Sequence, residues 1–107
     1  MNRTLIVARI RPGAEPDVGR IFAASDATDL PAELGVQERS LYSLHDVYVH
    51  VVDFAPGEEP PLERARALPG FRQVSRDLTP FISAYHPAWE RPQDAVARRF
   101  YHWRAPA

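Results

Sequence analysis

Residues 36–44 and 47–54 are both strand-like, and only His45-Asp46 separates them. A two-residue connection leaves room for one arrangement, an antiparallel hairpin, although His-Asp is far from the favoured Asn-Gly turn. A slightly longer loop would also fit. If the turn is tight, Leu44 faces Val47 and the register follows, with Leu41 opposing His50 and Arg39 opposing Val52 on one face and Tyr42 opposing Val49 on the other.

The remaining elements arrange themselves around this hairpin. Residues 3–10 are rich in β-branched and apolar types and read as a strand, ended by Arg11-Pro12-Gly13. Residues 15–25 read as a helix, with Pro16 in its first turn and Val18, Ile21 and Phe22 in one apolar stripe. Ser25 to Pro31 is dense in capping and turn residues, and Gly35 closes a short extra helical turn. After the loop at 55–61, a helix is expected over Leu62–Ala67, interrupted at Leu68-Pro69-Gly70. It resumes over Phe71–Phe81 with Phe71, Val74 and Leu78 on one face, and Pro80 limits its length. Residues 83–94 read as an ordered, extended connection and residues 95–104 as the last strand.

The order β-α-β-β-α-β is the ferredoxin-like split arrangement of an α+β domain: a four-stranded antiparallel sheet with helices on one face. Strand 47–54 is apolar on both faces, so a second subunit is expected on the side away from the helices, giving a homodimer.

Composition narrows the function. The 107 residues suit one domain, 1–107, around one core. Thirteen basic and 14 acidic residues give a net charge of −1, so nucleic acid is not an expected partner. No run is apolar enough to span a membrane, and the N-terminal residues carry no signal-peptide pattern, so a cytoplasmic protein is expected. The chain has no cysteine and no lysine. That excludes disulfides, thiolate catalysis, thiolate metal sites and lysine Schiff bases. The scattered glycines form no phosphate loop, and there is no Gly-x-Ser-x-Gly elbow, so neither a nucleotide cofactor nor a serine hydrolase is indicated.

His50 is either a packed core imidazole with one nitrogen satisfied or a group facing a cavity. Arg39 weighs on that choice. An inward-facing guanidinium, here expected on a central strand, is costly unless it meets a partner or a ligand. Beside it an imidazole stays neutral and can act as a base, while the guanidinium stabilises an oxyanion. Asp26, in the turn after the first helix, is either an Asx cap or a carboxylate orienting the site. His45 and Asp46 read as exposed hairpin residues, and His86 and His102 as structural or surface groups. The histidines lack metal-ligand spacing, so no metal is expected. Tyr42, Tyr48, Tyr85, Trp89, Phe100, Tyr101 and Trp103 supply core, and a subset of them can line a slot for a planar ligand.

The run Ser25-Asp26-x-Thr28-x-Leu30-Pro31, followed by Gly35-Val36, Arg39-x-Leu41-Tyr42-x-Leu44-His45-Asp46-x-Tyr48-x-His50, resembles the tetracenomycin-type aromatic polyketide cyclases of actinomycete type II pathways. Leu5-Ile6-Val7-Ala8-Arg9 resembles them too. The later run Trp89-x-Arg91-Pro92-x-Asp94-Ala95-x-Ala97-x-x-Phe100-Tyr101-x-Trp103 resembles members tied to spore pigments. The resemblance covers essentially the whole chain. It implies a dimeric α+β barrel and a cofactor-free aldol-type ring closure, dehydration and aromatisation of a polyketide intermediate, with transient association with synthase components. His50, Arg39 and Asp26 are the matching catalytic positions; Ser25, Tyr48, Leu41, Phe22 and Trp89 are the expected substrate contacts. Some members carry His where this chain has Ser25, so no base is carried over to that position. Two other readings fit the same features: a cofactor-free monooxygenase of aromatic polyketide intermediates, and a non-catalytic synthase-associated subunit.

Overall fold

The computed structural model describes residues 2–56, 65–90 and 92–107. Strand β1 (Asn2–Ile10) leads into helix α1 (Glu15–Asp26), the short helix α2 (Leu30–Leu34), strands β2 (Val36–Leu44) and β3 (Val47–Phe54), helix α3 (Pro69–Leu78) and strand β4 (Ile82–Ser83). A 3-10 turn (Pro92–Ala95) follows. The sheet order is β2-β3-β1-β4, and every pairing is antiparallel. This is the expected α+β architecture with helices on one face.

The hairpin forms in the register read from its turn, with Leu44 opposite Val47, Leu41 opposite His50 and Arg39 opposite Val52. His45 takes a φ of 54°, the left-handed conformation that a two-residue turn demands of its first residue. The strain of that backbone at a non-glycine residue is held by a ladder eight pairs long. The ladder is irregular only between Val36 and Glu38, where Gln37 is the extra residue of a bulge.

Helix α1 has no side-chain N-cap, but Glu15 and Asp17 in its first turn oppose the positive end of its dipole. Its apolar stripe buries Val18 and Phe22 against Ala8, Ile10 and Tyr48 of the sheet. Helix α2 ends at Gly35, whose φ of 75° forms a left-handed C-cap. The same residue's carbonyl accepts the Ala55 N–H at 2.7 Å, which ties this helix end to the end of β3. Leu30 and Leu34 thereby join Val52, Phe54 and Ala65 in a second core cluster.

Two expectations change. Strand β2 lies at the sheet edge, so Arg39 is not on a central strand. The final strand is Ile82–Ser83, not 95–104. Helix α3 stops at Leu78, and Phe81 accepts the Arg11 N–H at 2.8 Å, which delivers the next two residues straight to the edge of β1. Of the expected strand only Val96 bridges to Ile6, with the Ala97 N–H donated to Leu5. Residues 98–107 then run on exposed, with no regular structure. The part of the expected helix at Leu62–Arg64 lies outside the described residues; Ala65 is helical and buried.

Candidate active site

Alternation along β3 sends Tyr48, His50 and Val52 to the helix side. There they floor a cleft of about 340 Å³, walled by Phe22 of α1, by Phe71, Val74 and Leu78 of α3, and by Trp89. The size and mainly apolar lining suit a small organic molecule. Helix α3 buries no residue completely. Its apolar side, half covered, packs Phe71, Val74 and Leu78 against the two core clusters and also faces the cleft.

The polar end of the cleft is a chain of three side chains. Asp26, at the last turn of α1, accepts hydrogen bonds from Arg39 Nη2 at 2.9 Å and Nε at 3.1 Å. Arg39 Nη1 lies 2.9 Å from His50 Nε2. A guanidinium can only donate, so Nε2 accepts and the imidazole carries its proton on Nδ1. The guanidinium also lies 4.9 Å from the centre of the Phe22 ring, a cation–π contact. The Phe22 and His50 rings meet edge to face at 5.1 Å. Arg39 is thus held on three sides, and its side chain is 13% exposed. An edge-strand residue reaches this enclosed position because α1 folds over the β2 edge and brings Asp26 to it.

Burial, and secondarily the Arg39 charge, push the His50 pKa down to about 3, so the free ring is neutral at physiological pH. Burial pushes the Tyr48 hydroxyl above its ordinary range, so it stays a proton donor. No hydrogen bond to that hydroxyl forms among the described residues. The site therefore offers a fixed cation, a neutral imidazole and a phenol at one end of an apolar slot. Such donors suit a carbonyl oxygen that gains negative charge.

The fold brings His50, Arg39 and Asp26 together, and places Ser25, Tyr48, Phe22 and Trp89 on the cleft wall. Leu41 is not on that wall; it packs against the first core cluster. Ser75 of α3, Thr79 just after its C-terminal end and Ser83 of β4 line the cleft without having been singled out in the sequence. Helical spacing contained the signal for two of them, since Ser75 and Thr79 follow Phe71 at steps of four. The Thr79 hydroxyl is spent on the Ser75 carbonyl at 3.0 Å. Among the described residues no group of three or more His, Asp or Glu side chains is placed to hold a metal ion. Nor is any helix among them long and apolar enough to cross a membrane.

Comparison with known proteins gives a consistent result. The family profile described as polyketide synthesis cyclase matches residues 2–104. A protein of Streptomyces coelicolor is 49% identical over 110 residues, covering 100% of this chain and 99% of its own. The polyketide synthase CurG of Streptomyces cyaneus is 40% identical, with 96% of this chain and 97% of that one covered. The tetracenomycin F2 cyclase of Streptomyces glaucescens is 36% identical, with 97% and 95% covered. The solved structure of that cyclase, described as a type-II polyketide cyclase, superposes with a TM-score of 0.87 at 35% identity, covering 99% of this chain and 100% of the other.

Proposed function

We infer that this chain, which belongs to the polyketide synthesis cyclase family, closes a ring in an aromatic polyketide intermediate by intramolecular aldol addition, followed by dehydration and aromatisation. The observation that carries this reading is the Asp26–Arg39–His50 chain at the polar end of an apolar cleft. The walls of Phe22 and Trp89 hold the planar part of the substrate and confine its flexible part to one reactive conformer, an orientation effect. Ser25 and Tyr48 hydrogen-bond its oxygens.

A methylene flanked by two carbonyls loses a proton to give an enolate. Its carbon attacks a further carbonyl elsewhere along the chain, whose oxygen takes up the proton, and water leaves as the ring becomes aromatic. Arg39 stabilises the enolate oxygen. In the free site its Nη1 occupies the lone pair of His50. When a substrate oxygen takes that donor, Nε2 is released, and the growing negative charge offsets the cation that keeps the ring neutral. His50 then becomes the base, while Asp26 keeps the guanidinium in place. No cofactor or metal enters these steps. The enzyme works in the cytoplasm, as a homodimer joined through the sheet face opposite the helices, in transient contact with the synthase that delivers its substrate.

Co-expression with a minimal type II synthase and its early tailoring enzymes, read by mass spectrometry, tests the reading. The expected result is a new regiospecific aromatic product of unchanged oxidation level, lost in a folded Arg39→Ala/His50→Ala variant. A product heavier by one oxygen would make the protein a monooxygenase. A profile that the double variant leaves unaltered would make it a non-catalytic subunit.

A further inference from the structure

Among the described residues, the buried side chains that carry polar atoms are Tyr48, His50 and Asp53. Asp53 is held by Arg3 through hydrogen bonds of 2.8 and 3.0 Å. His50 meets Arg39. Tyr48 is only 4% exposed, yet its hydroxyl has no polar partner among the described residues. Other hydroxyls of the chain are better served. Tyr42, Tyr85 and Tyr101 reach water, and Thr28 and Thr79 donate to backbone carbonyls. A buried hydroxyl without a partner is a standing cost to the folded chain, which is why nearly all such groups are paired.

The unpaired group sits where a ligand can complete it. The Tyr48 ring lines the cleft beside His50, with ring centres 6.3 Å apart. The charge of Arg39 acts on its hydroxyl in opposition to burial, so the phenol lies within the field of the guanidinium. The side chains packed with it, among them Ala8, Phe22, Leu78 and Ile82, are hydrocarbon.

We propose that Tyr48 is a specificity-determining residue: it admits intermediates that bear an oxygen on the carbon it faces and turns away those that have lost it. The proposal deepens the cyclase reading above, in which Tyr48 binds an oxygen; here it selects for one. A phenol both donates and accepts, so a ketone or an enol at that carbon completes it equally. An intermediate that has been reduced and dehydrated there brings a C–H instead. Such a molecule seals the hydroxyl from water without replacing its bond, and a polar group of the site left buried and unpaired is a strong ground for rejecting an analogue. Phe22 and Trp89 accept any planar ring, so the aromatic walls do not make this distinction. The enzyme therefore acts on chains that no ketoreductase and dehydratase have already worked at that position.

Binding of simple aromatic probes tests the selection without turnover. The full chain and its Tyr48→Phe variant are titrated calorimetrically with 1-naphthol and with the naphthalenediols that add a second hydroxyl at each remaining carbon in turn. At least one diol is expected to bind the parent about tenfold more tightly than 1-naphthol does. In Tyr48→Phe that advantage is expected to vanish, with 1-naphthol bound at least as tightly as by the parent. A parent that does not distinguish the probes, or a preference that survives in the variant, would overturn the proposal. Thermal unfolding of the ligand-free chains is the second measurement. Removal of an unpaired hydroxyl is expected to leave the midpoint unchanged or to raise it. A clear drop would mean that the hydroxyl is already bonded within the folded protein, and would sink the idea. A protein that prefers a diol through Tyr48 but closes no ring would lose the cyclase reading and keep its selector. One that closes rings without the diol preference would keep the cyclase reading and lose the selector.

Discussion

The two faces of strand β3 alternate residue by residue, yet they solve different problems. On the inner face Tyr48, His50 and Val52 are all buried, and the polar groups among them meet a cation and a cleft. On the outer face Val47, Val49 and Val51 are only half covered. The ion pairs there close on themselves: Arg3 to Asp53 at 2.8 Å and Arg9 to Asp46 at 2.7 Å. Arg39, by contrast, spends part of its donor capacity on a neutral ring, a partner that a substrate oxygen can displace. A charge fully matched by its counter-ion supports structure, whereas a charge matched by a weaker acceptor remains available for chemistry.

The sharpest way to break that contrast is Arg39→Ala. Cyclisation is expected to fall at least about 100-fold, the usual cost of losing one oxyanion donor. Turnover of co-expressed substrate measures it; a variant that cyclises normally would make the inner-face cation structural like those outside. Next in size is Val52→Ala, which trims the most enclosed side chain of the strand. Urea unfolding should show a loss of about 2 kcal/mol from lost burial and the cavity left behind.

The third prediction concerns pH. His50 has a pKa of about 3 when folded and 6.5 as a free side chain. Between those values the unfolded chain binds a proton that the folded one refuses, so stability is greatest above the upper value and falls as the pH drops through the interval. His50→Gln keeps an acceptor for Arg39 but does not titrate. Denaturation at about pH 7.5 and about pH 5 should show a smaller acid-side loss in the variant than in the parent. Equal losses would place the proton elsewhere. The smallest effect is expected from Asp53→Asn on the outer face. It should lower the thermal midpoint by less than Val52→Ala does, and leave cyclisation unchanged.

The hairpin shows how much of this was legible in the residues. A two-residue turn and a period of two determine the face of every side chain, so the meeting of Arg39 with His50 follows from counting. Asp26 does not follow from counting. It is joined to Arg39 by the way α1 folds over the edge of β2, a tertiary fact that neither local sequence contains. Leu41 lies on the correct face of its strand but beyond the reach of the cleft. The last strand was misplaced because β-propensity reports a side chain's fit to a pleated, half-buried surface and does not name the partner. Residues 95–104 have that propensity, but only Val96 and Ala97 reach β1, at Ile6 and Leu5, while its end at Arg9 and Ile10 is taken by Ile82 and Ser83, a pair too short to register in any pattern.

The bulge at Gln37 has a consequence for how this site tolerates change. Its two neighbours belong to different authorities: Val36 answers to the helix end at Gly35, and Glu38 to the turn at His45-Asp46. Between them Gln37 acts as slack. A residue gained or lost there is absorbed before it reaches Arg39, so chain length can drift at this point while the spacing of guanidinium and imidazole stays constant.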